Sequence, residues 1–180
     1  MKAPELFAVY EHVAKTLQHI RVTNRTEHSI TIQLDSKDGL GTVRLYALFP
    51  GILLALNDFS TDSCPSHDGE ATEGLKMNFC IEGRCEVKMP DDRYLFLEAG
   101  DLCMDMRMPR DSFSFPYNRY YGVELLVHPS ALNQAPPALF QEVCIDMAQI
   151  CEKYCPENNN FTGKADEKIK SVFLNIAEPV

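Results

Sequence analysis

The residues best equipped for chemistry are five histidines and seven cysteines, and neither set is spaced for a metal centre. A metal-dependent enzyme of this size would bring two or three imidazoles and a carboxylate onto one ion. Here no H-x-H pair occurs, and only His28 and His128 lie near strands, at their ends. His12 and His19 are seven apart and share a helix face, which reads more simply as surface or core. The cysteines, at 64, 80, 85, 103, 144, 151 and 155, lack the C-x₂-C spacing of structural zinc. In a reducing compartment they are free thiols and serve as small buried hydrophobes. No G-x-S-x-G or other nucleophile motif is present. These features predict neither catalysis nor a cofactor.

Two cysteine groupings nevertheless suggest redox or soft-metal chemistry. Cys80 and Cys85 flank Glu82-Gly83, and a two-residue turn there would place the thiols opposite one another. The alternation opposes this, since Cys80 falls on the polar face and Cys85 on the apolar one; a bulge at Gly83 would reconcile the pattern and separate them. Cys144, Cys151 and Cys155 share one helical stripe with Ala148, suited to core packing, a dimer seam or a soft metal. A thiol or metal sensor built on Cys64, Cys80, Cys85 and Cys103 is therefore one alternative.

Binding asks less than catalysis: an apolar cavity with a few orienting polar groups. Leu102, Met104, Met106 and Met108 form one face of a strand, and flexible thioethers there would suit an irregular apolar ligand if that face is interior. Arg44, Tyr46, Asn78, Glu86, Tyr121 and Glu124 are the polar candidates on central strands, because a buried charge must be paired or meet a ligand. Each also fits a solvated outer face.

The elements that must position these residues follow from periodicity. Leu6, Val9, Tyr10, Val13, Leu17 and Ile20 recur three and four apart after Pro4, predicting a helix over 4–20. The period then becomes two. Ile30-Ile32-Leu34 and Val43-Leu45-Ala47-Phe49 alternate, followed by the short apolar run 52–56 and a loop over 60–74. Leu75 to Ile81 and Cys85 to Met89 predict a hairpin turning at Glu82-Gly83, then come strands at 95–97, 102–108 and 121–127. Helical spacing returns over 143–154 and 165–176, with a loop at 158–163 between them. About eight short strands between helices predict a small barrel or sandwich.

The net charge is −9, with basic residues scattered, which disfavours nucleic-acid binding by this piece. No apolar run reaches the roughly 18 residues of a membrane helix, and Met1 to Leu6 does not read as a secretory signal, so a cytoplasmic location is expected.

Four strings resemble one family. Phe49 to Phe59 (FPGILLALNDF), Met77 to Glu86 (MNFCIEGRCE), Leu97 to Leu102 (LEAGDL) and Phe115 to Glu124 (FPYNRYYGVE) occur in the order seen in the sensor half of AraC/XylS-type transcription regulators, Firmicutes-type members above all. The resemblance implies a cupin-like jelly-roll β-barrel holding a small-molecule effector. It also implies helices that support a homodimer, and DNA binding only through a helix-turn-helix region that has no counterpart before Val180. Segments 1–22, 23–129 and 130–180 would then be N-terminal helix, sensor barrel and helical dimerisation or linker region. A small cupin enzyme is the remaining alternative.

Overall fold

A computed structural model describes residues 3–17, 19–64, 74–89, 92–106, 112–128, 131, 147–156 and 160–178. The architecture is mainly β with helices at both ends, as expected. Helix α1 (Ala3–Thr16) is followed by β1 (Ile20–Arg25), β2 (Ser29–Ser36), β3 (Gly39–Phe49), β4 (Ile52–Thr61) and the short β5 (Ser63–Cys64). Next come β6 (Leu75–Lys88), β7 (Tyr94–Glu98), β8 (Asp101–Asp105), β9 (Ser112–Ser114) and β10 (Tyr120–Val127). Helix α2 (Met147–Tyr154), strand β11 (Phe161–Lys164) and helix α3 (Glu167–Ala177) complete the chain.

Every strand pairing is antiparallel. The main sheet runs β1-β2-β3-β4-β10-β6-β8-β11, while β5, β9 and β7 form a second sheet that joins it through β6. The two sheets fold over each other as a cupin-like jelly roll. One core cluster inside it draws Leu34 from β2, Phe59 from β4, Val87 from β6, Leu97 from β7, Cys103 from β8 and Tyr120 from β10. A second interior cluster joins Ile30, Leu45, Leu53 and Leu126 to Phe7 of α1, whose side chain is fully buried.

A third cluster lies on the opposite face of the sheet. Leu75, Phe79, Leu102, Met104 and Val127 pack there against Cys155, Ala165 and residues of α2 and α3. Phe173 of α3 stacks on Phe79 with ring centroids 5.1 Å apart. Tyr121 Oη donates to the Ala177 carbonyl at 3.0 Å, fastening the end of α3 to β10. Asp166 caps α3, accepting from the Ile169 N–H at 2.8 Å.

Three local expectations change, and one short strand is new. Helix α1 stops at Thr16, and Ile20–Arg25 is an edge strand with a register shift near Val22. The expected hairpin at Glu82-Gly83 is absent: β6 continues through it for 14 residues. Gly83, at φ +82°, bends the strand as it leaves β10 for β7 and β9, and the pairing with β10 slips just before it, between Cys80 and Glu82. A Cβ at Gly83 would lie 1.9 Å from the Arg119 carbonyl oxygen, so the bend relies on glycine. Phe161–Lys164, expected as a loop, pairs with β8 as the outer strand of the main sheet. Ser112–Ser114, which carries no alternation of its own, is held in place by β5 and β6.

Candidate functional site

Alternation sets which side chains enter the barrel. On β4 the inward residues are Leu53, Ala55, Asn57 and Phe59; on β10 they are Tyr120, Glu124 and Leu126. On the first half of β6 the inward residues are Lys76, Asn78 and Cys80. The register slip between Cys80 and Glu82 then shifts the phase, so that Cys85 and Val87 point in as well. These positions enclose a cavity of about 190 Å³. Its walls are largely apolar, with Ile32, Leu45 and Ala55 on one side and a ladder of aromatic rings on another. Phe59 stacks on Phe115 at 5.0 Å, and Phe115 on Tyr120 at 5.4 Å. Tyr10 of α1 also reaches the cavity wall.

Polar groups enter through a connected chain. Tyr120 Oη donates to Asn78 Oδ1 at 2.7 Å, and Asn78 Nδ2 donates to Glu124 Oε1 at 2.9 Å, which fixes the orientation of the amide. Lys76, itself buried, stands 3.9 Å from both Glu124 Oε1 and Asp105 Oδ2. Asp105 also accepts a long contact from the Cys103 thiol. Burial, followed by the nearby Cys85 and Glu124, pushes the Tyr120 phenol well above its ordinary range, so it remains a proton donor. Gly122, between Tyr120 and Glu124, leaves room for the Tyr120 ring to fold back along β10, since a Cβ there would lie 2.6 Å from Tyr120 Oη.

Of the residues singled out in the sequence, Asn78 and Glu124 face this cavity and touch each other. The others are placed elsewhere. Arg44 is exposed and Tyr46 half-buried, both on the outer face of β3, whose inward residues are Val43 and Leu45. Glu86 forms an ion pair with Arg84 at 2.9 Å on the outer side of β6. Tyr121 points toward α3. The methionine face is turned outward: Met104 and Met106 lie in the layer beneath the C-terminal helices, not on the cavity wall. The reason is that both faces of β8 are covered, so apolar character does not single out the interior one. Met108 lies outside the described residues, as does Cys144.

Asn57 and Tyr120 are the polar cavity residues that periodicity passed over. Each stands in a quoted string, Asn57 in LLALNDF and Tyr120 in NRYYGVE, at a position where a polar group interrupts an apolar inward row. Asn57 is only 7% exposed despite its amide.

Cys80 and Cys85 are both buried and lie on one strand rather than across a turn. Burial pushes Cys64, Cys80 and Cys103 up to about 12, and Cys85 higher still. At neutral pH these are protonated thiols, whereas the thiolate is the reactive and metal-binding form. Among the described residues no three His, Cys, Asp or Glu side chains gather to hold a metal ion, and no helix is long and apolar enough to cross a membrane.

No protein-family model matches the chain, and no curated protein matches it. Among solved structures it is similar to an HTH_3 family transcriptional regulator from Vibrio cholerae, at 14% identity and a TM-score of 0.36 over 48% of this chain and 51% of that one. It is also similar to the cupin_2 domain of an XRE family transcriptional regulator from Enterobacter cloacae, at 17% identity and a TM-score of 0.37 over 49% of this chain and 95% of that one. A third similarity is to ToxT from Vibrio cholerae with bound unsaturated fatty acid, at 13% identity and a TM-score of 0.45 over 71% of this chain and 46% of that one. The chain thus spans about half the length of the two Vibrio cholerae proteins.

Proposed function

We propose that this chain is the effector-sensing domain of an AraC/XylS-type transcription regulator, and that it binds a small organic molecule inside the barrel without transforming it. The observation that carries the reading is the cavity: an apolar, aromatic-walled space with one connected polar chain, Tyr120–Asn78–Glu124, entering it. That is the composition of a recognition site, in which burial supplies affinity and a few placed polar groups supply orientation. Three of the four strings that resemble the family contribute to its wall, through Phe59, through Asn78 and Cys85, and through Phe115, Tyr120 and Glu124.

In this reading the effector binds two arrangements of barrel and helices unequally and so shifts their populations. The response passes to a DNA-binding region outside this chain. The C-terminal helices hold a homodimer together, and the protein works in the cytoplasm. The thiol-sensing alternative has weaker support, because the cysteines that would react are buried and protonated.

Native mass spectrometry of the purified protein, followed by denaturation of the same sample, tests the reading. An organic mass retained by the native protein and lost from an Ala55→Phe variant, whose new ring fills the cavity, is the expected result. A stoichiometric transition metal in place of an organic molecule would overturn it in favour of an enzyme or metal sensor.

A further inference from the structure

Asn57 lines the cavity at 7% exposure, yet its amide makes no hydrogen bond among the described residues. A buried amide without a partner costs stability, so its place on the wall points to a guest that completes it. An open acceptor stands nearby. Glu124 also lines the cavity; its Oε1 takes the Asn78 amide, whereas Oε2 meets no donor among the described residues. Glu124 lies directly across from Ala55, and Asn57 is two residues further along the same inward row of β4. Such diagonal neighbours are roughly 7–8 Å apart across antiparallel strands, with their side chains closer, so one small polar group lodged between them reaches both.

The two open groups ask different things of that guest. Oε2 needs a donor, and the Asn57 Nδ2 hydrogens need an acceptor. A carboxylate accepts only, so it would meet Asn57 and set its own oxygens against Oε2. An ammonium donates only, so it would leave the Asn57 N–H groups unmet and bring a charge that apolar walls do not solvate. A hydroxyl does both through one oxygen, giving its proton to Oε2 and accepting from Asn57 Nδ2.

The cavity also limits what carries that hydroxyl. An apolar cavity of roughly 150 Å³ takes one benzene ring. The space here is about 190 Å³, enough for a single ring with few further atoms. Phe59, Phe115 and Tyr120 stack with interplanar angles of 19° and 13°, and a flat aromatic ring packs against such faces better than a puckered aliphatic one.

We infer that the cavity selects a neutral single-ring phenol, whose hydroxyl donates to Glu124 Oε2 and accepts from the Asn57 amide while its ring packs against the aromatic ladder. This rests on the ligand-sensing reading above and narrows its ligand class. Asn78 acts as a positioning residue, since its amide holds Oε1 and leaves Oε2 for the guest.

Titration calorimetry of the 180-residue protein at neutral pH with phenol, anisole, benzoate and benzylamine tests this. Anisole is the larger and more apolar molecule, so burial alone favours it, whereas phenol carries the proton that Oε2 accepts. Phenol is expected to bind at least ~10-fold more tightly than anisole, because a site built to pair a hydroxyl rejects the analogue that lacks the donor. Benzoate and benzylamine should bind more weakly than phenol. Asn57→Ala should weaken phenol several-fold and leave anisole unchanged, while Ala55→Phe blocks all binding. The comparison of phenol with anisole uses the unaltered protein, so it stands whether or not a variant folds. A preference for phenol that survives intact in Asn57→Ala would overturn the role of Asn57. Anisole, benzoate or benzylamine binding as tightly as phenol, and lost in Ala55→Phe, would overturn the hydroxyl while sparing the sensing cavity. If none of the four binds, the mass retained in the native spectrum decides: a phenolic compound supports the inference, and any other molecule overturns it while sparing the cavity. No binding and no retained mass together overturn both readings.

Discussion

Asn78 and Glu124, 46 residues apart in sequence, meet inside the barrel through a 2.9 Å hydrogen bond from Nδ2 to Oε1. Asn78 also accepts from Tyr120, so one amide serves two buried partners. Asn78→Leu keeps the volume but strips both, and leaving buried polar groups unsatisfied costs about 1–3 kcal/mol apiece. Urea denaturation should show a loss of at least about 2 kcal/mol with an unchanged m-value. A loss below about 0.5 kcal/mol would mean that the chain is solvated rather than buried.

The cysteines predict a pH dependence. Their folded pKa values stand near 12 or above, against the ordinary 9.0, because burial disfavours the thiolate. Unfolded thiols therefore release protons at lower pH than folded ones, so the unfolded state binds fewer protons between about 9 and 12 and stability falls as pH rises through that window. Below pH 8 this contribution is fully present. At pH 7.5 the buried thiols of the native protein should resist a disulfide reagent that modifies all seven cysteines after unfolding. Rapid native labelling of Cys80 or Cys85, located by peptide mapping, would contradict this and revive the thiol switch.

Gly83 is where β6 passes from one sheet to the other. Gly83→Ala combines a strained φ of +82° with a Cβ that would lie 1.9 Å from the Arg119 carbonyl oxygen. The expected cost is at least about 2 kcal/mol, seen as a melting temperature lower by roughly 4–8 °C for a domain of this size. A near-neutral substitution would mean that the bend is looser than described.

Tyr121→Phe removes only the hydroxyl that donates to the Ala177 carbonyl. A loss of about 1 kcal/mol is expected, together with faster amide exchange in α3 while the strands keep their protection. Accelerated exchange spread evenly over the barrel would indicate that α3 is not separately fastened.

The mainly β class, the N-terminal helix and the final helix were legible because each repeats a clean period over many residues. The face assignments were less so. Met77, Phe79, Leu102 and Met104 are apolar and alternate, which marks a buried face without saying which side buries it. The C-terminal helices cover the outer face, and this long-range packing turned the expected interior outside in. The same covering hid the true cavity row, since Lys76, Asn78 and Cys80 read locally as a polar, solvated face. Asn78 and Glu124 were found because a charged or amide group on a central strand needs a partner. Arg44 and Glu86 met the same criterion but satisfy it in solvent or through an outer ion pair. The Glu82-Gly83 turn failed because a glycine at positive φ serves a bend in a continuous strand as readily as a hairpin, and only the pairing partners on either side distinguish them.

Asn78 and Phe79 are consecutive, yet one is hydrogen-bonded to the cavity carboxylate and the other is stacked against Phe173 of α3. The partition between cavity and helix layer is therefore a single peptide thick. A displacement of the Asn78 backbone by a few tenths of an ångström needs no relay of intermediate side chains to be felt at α3, because the atom that moves on one side is bonded to the group that presses on the other. The wall of the cavity is itself the diaphragm.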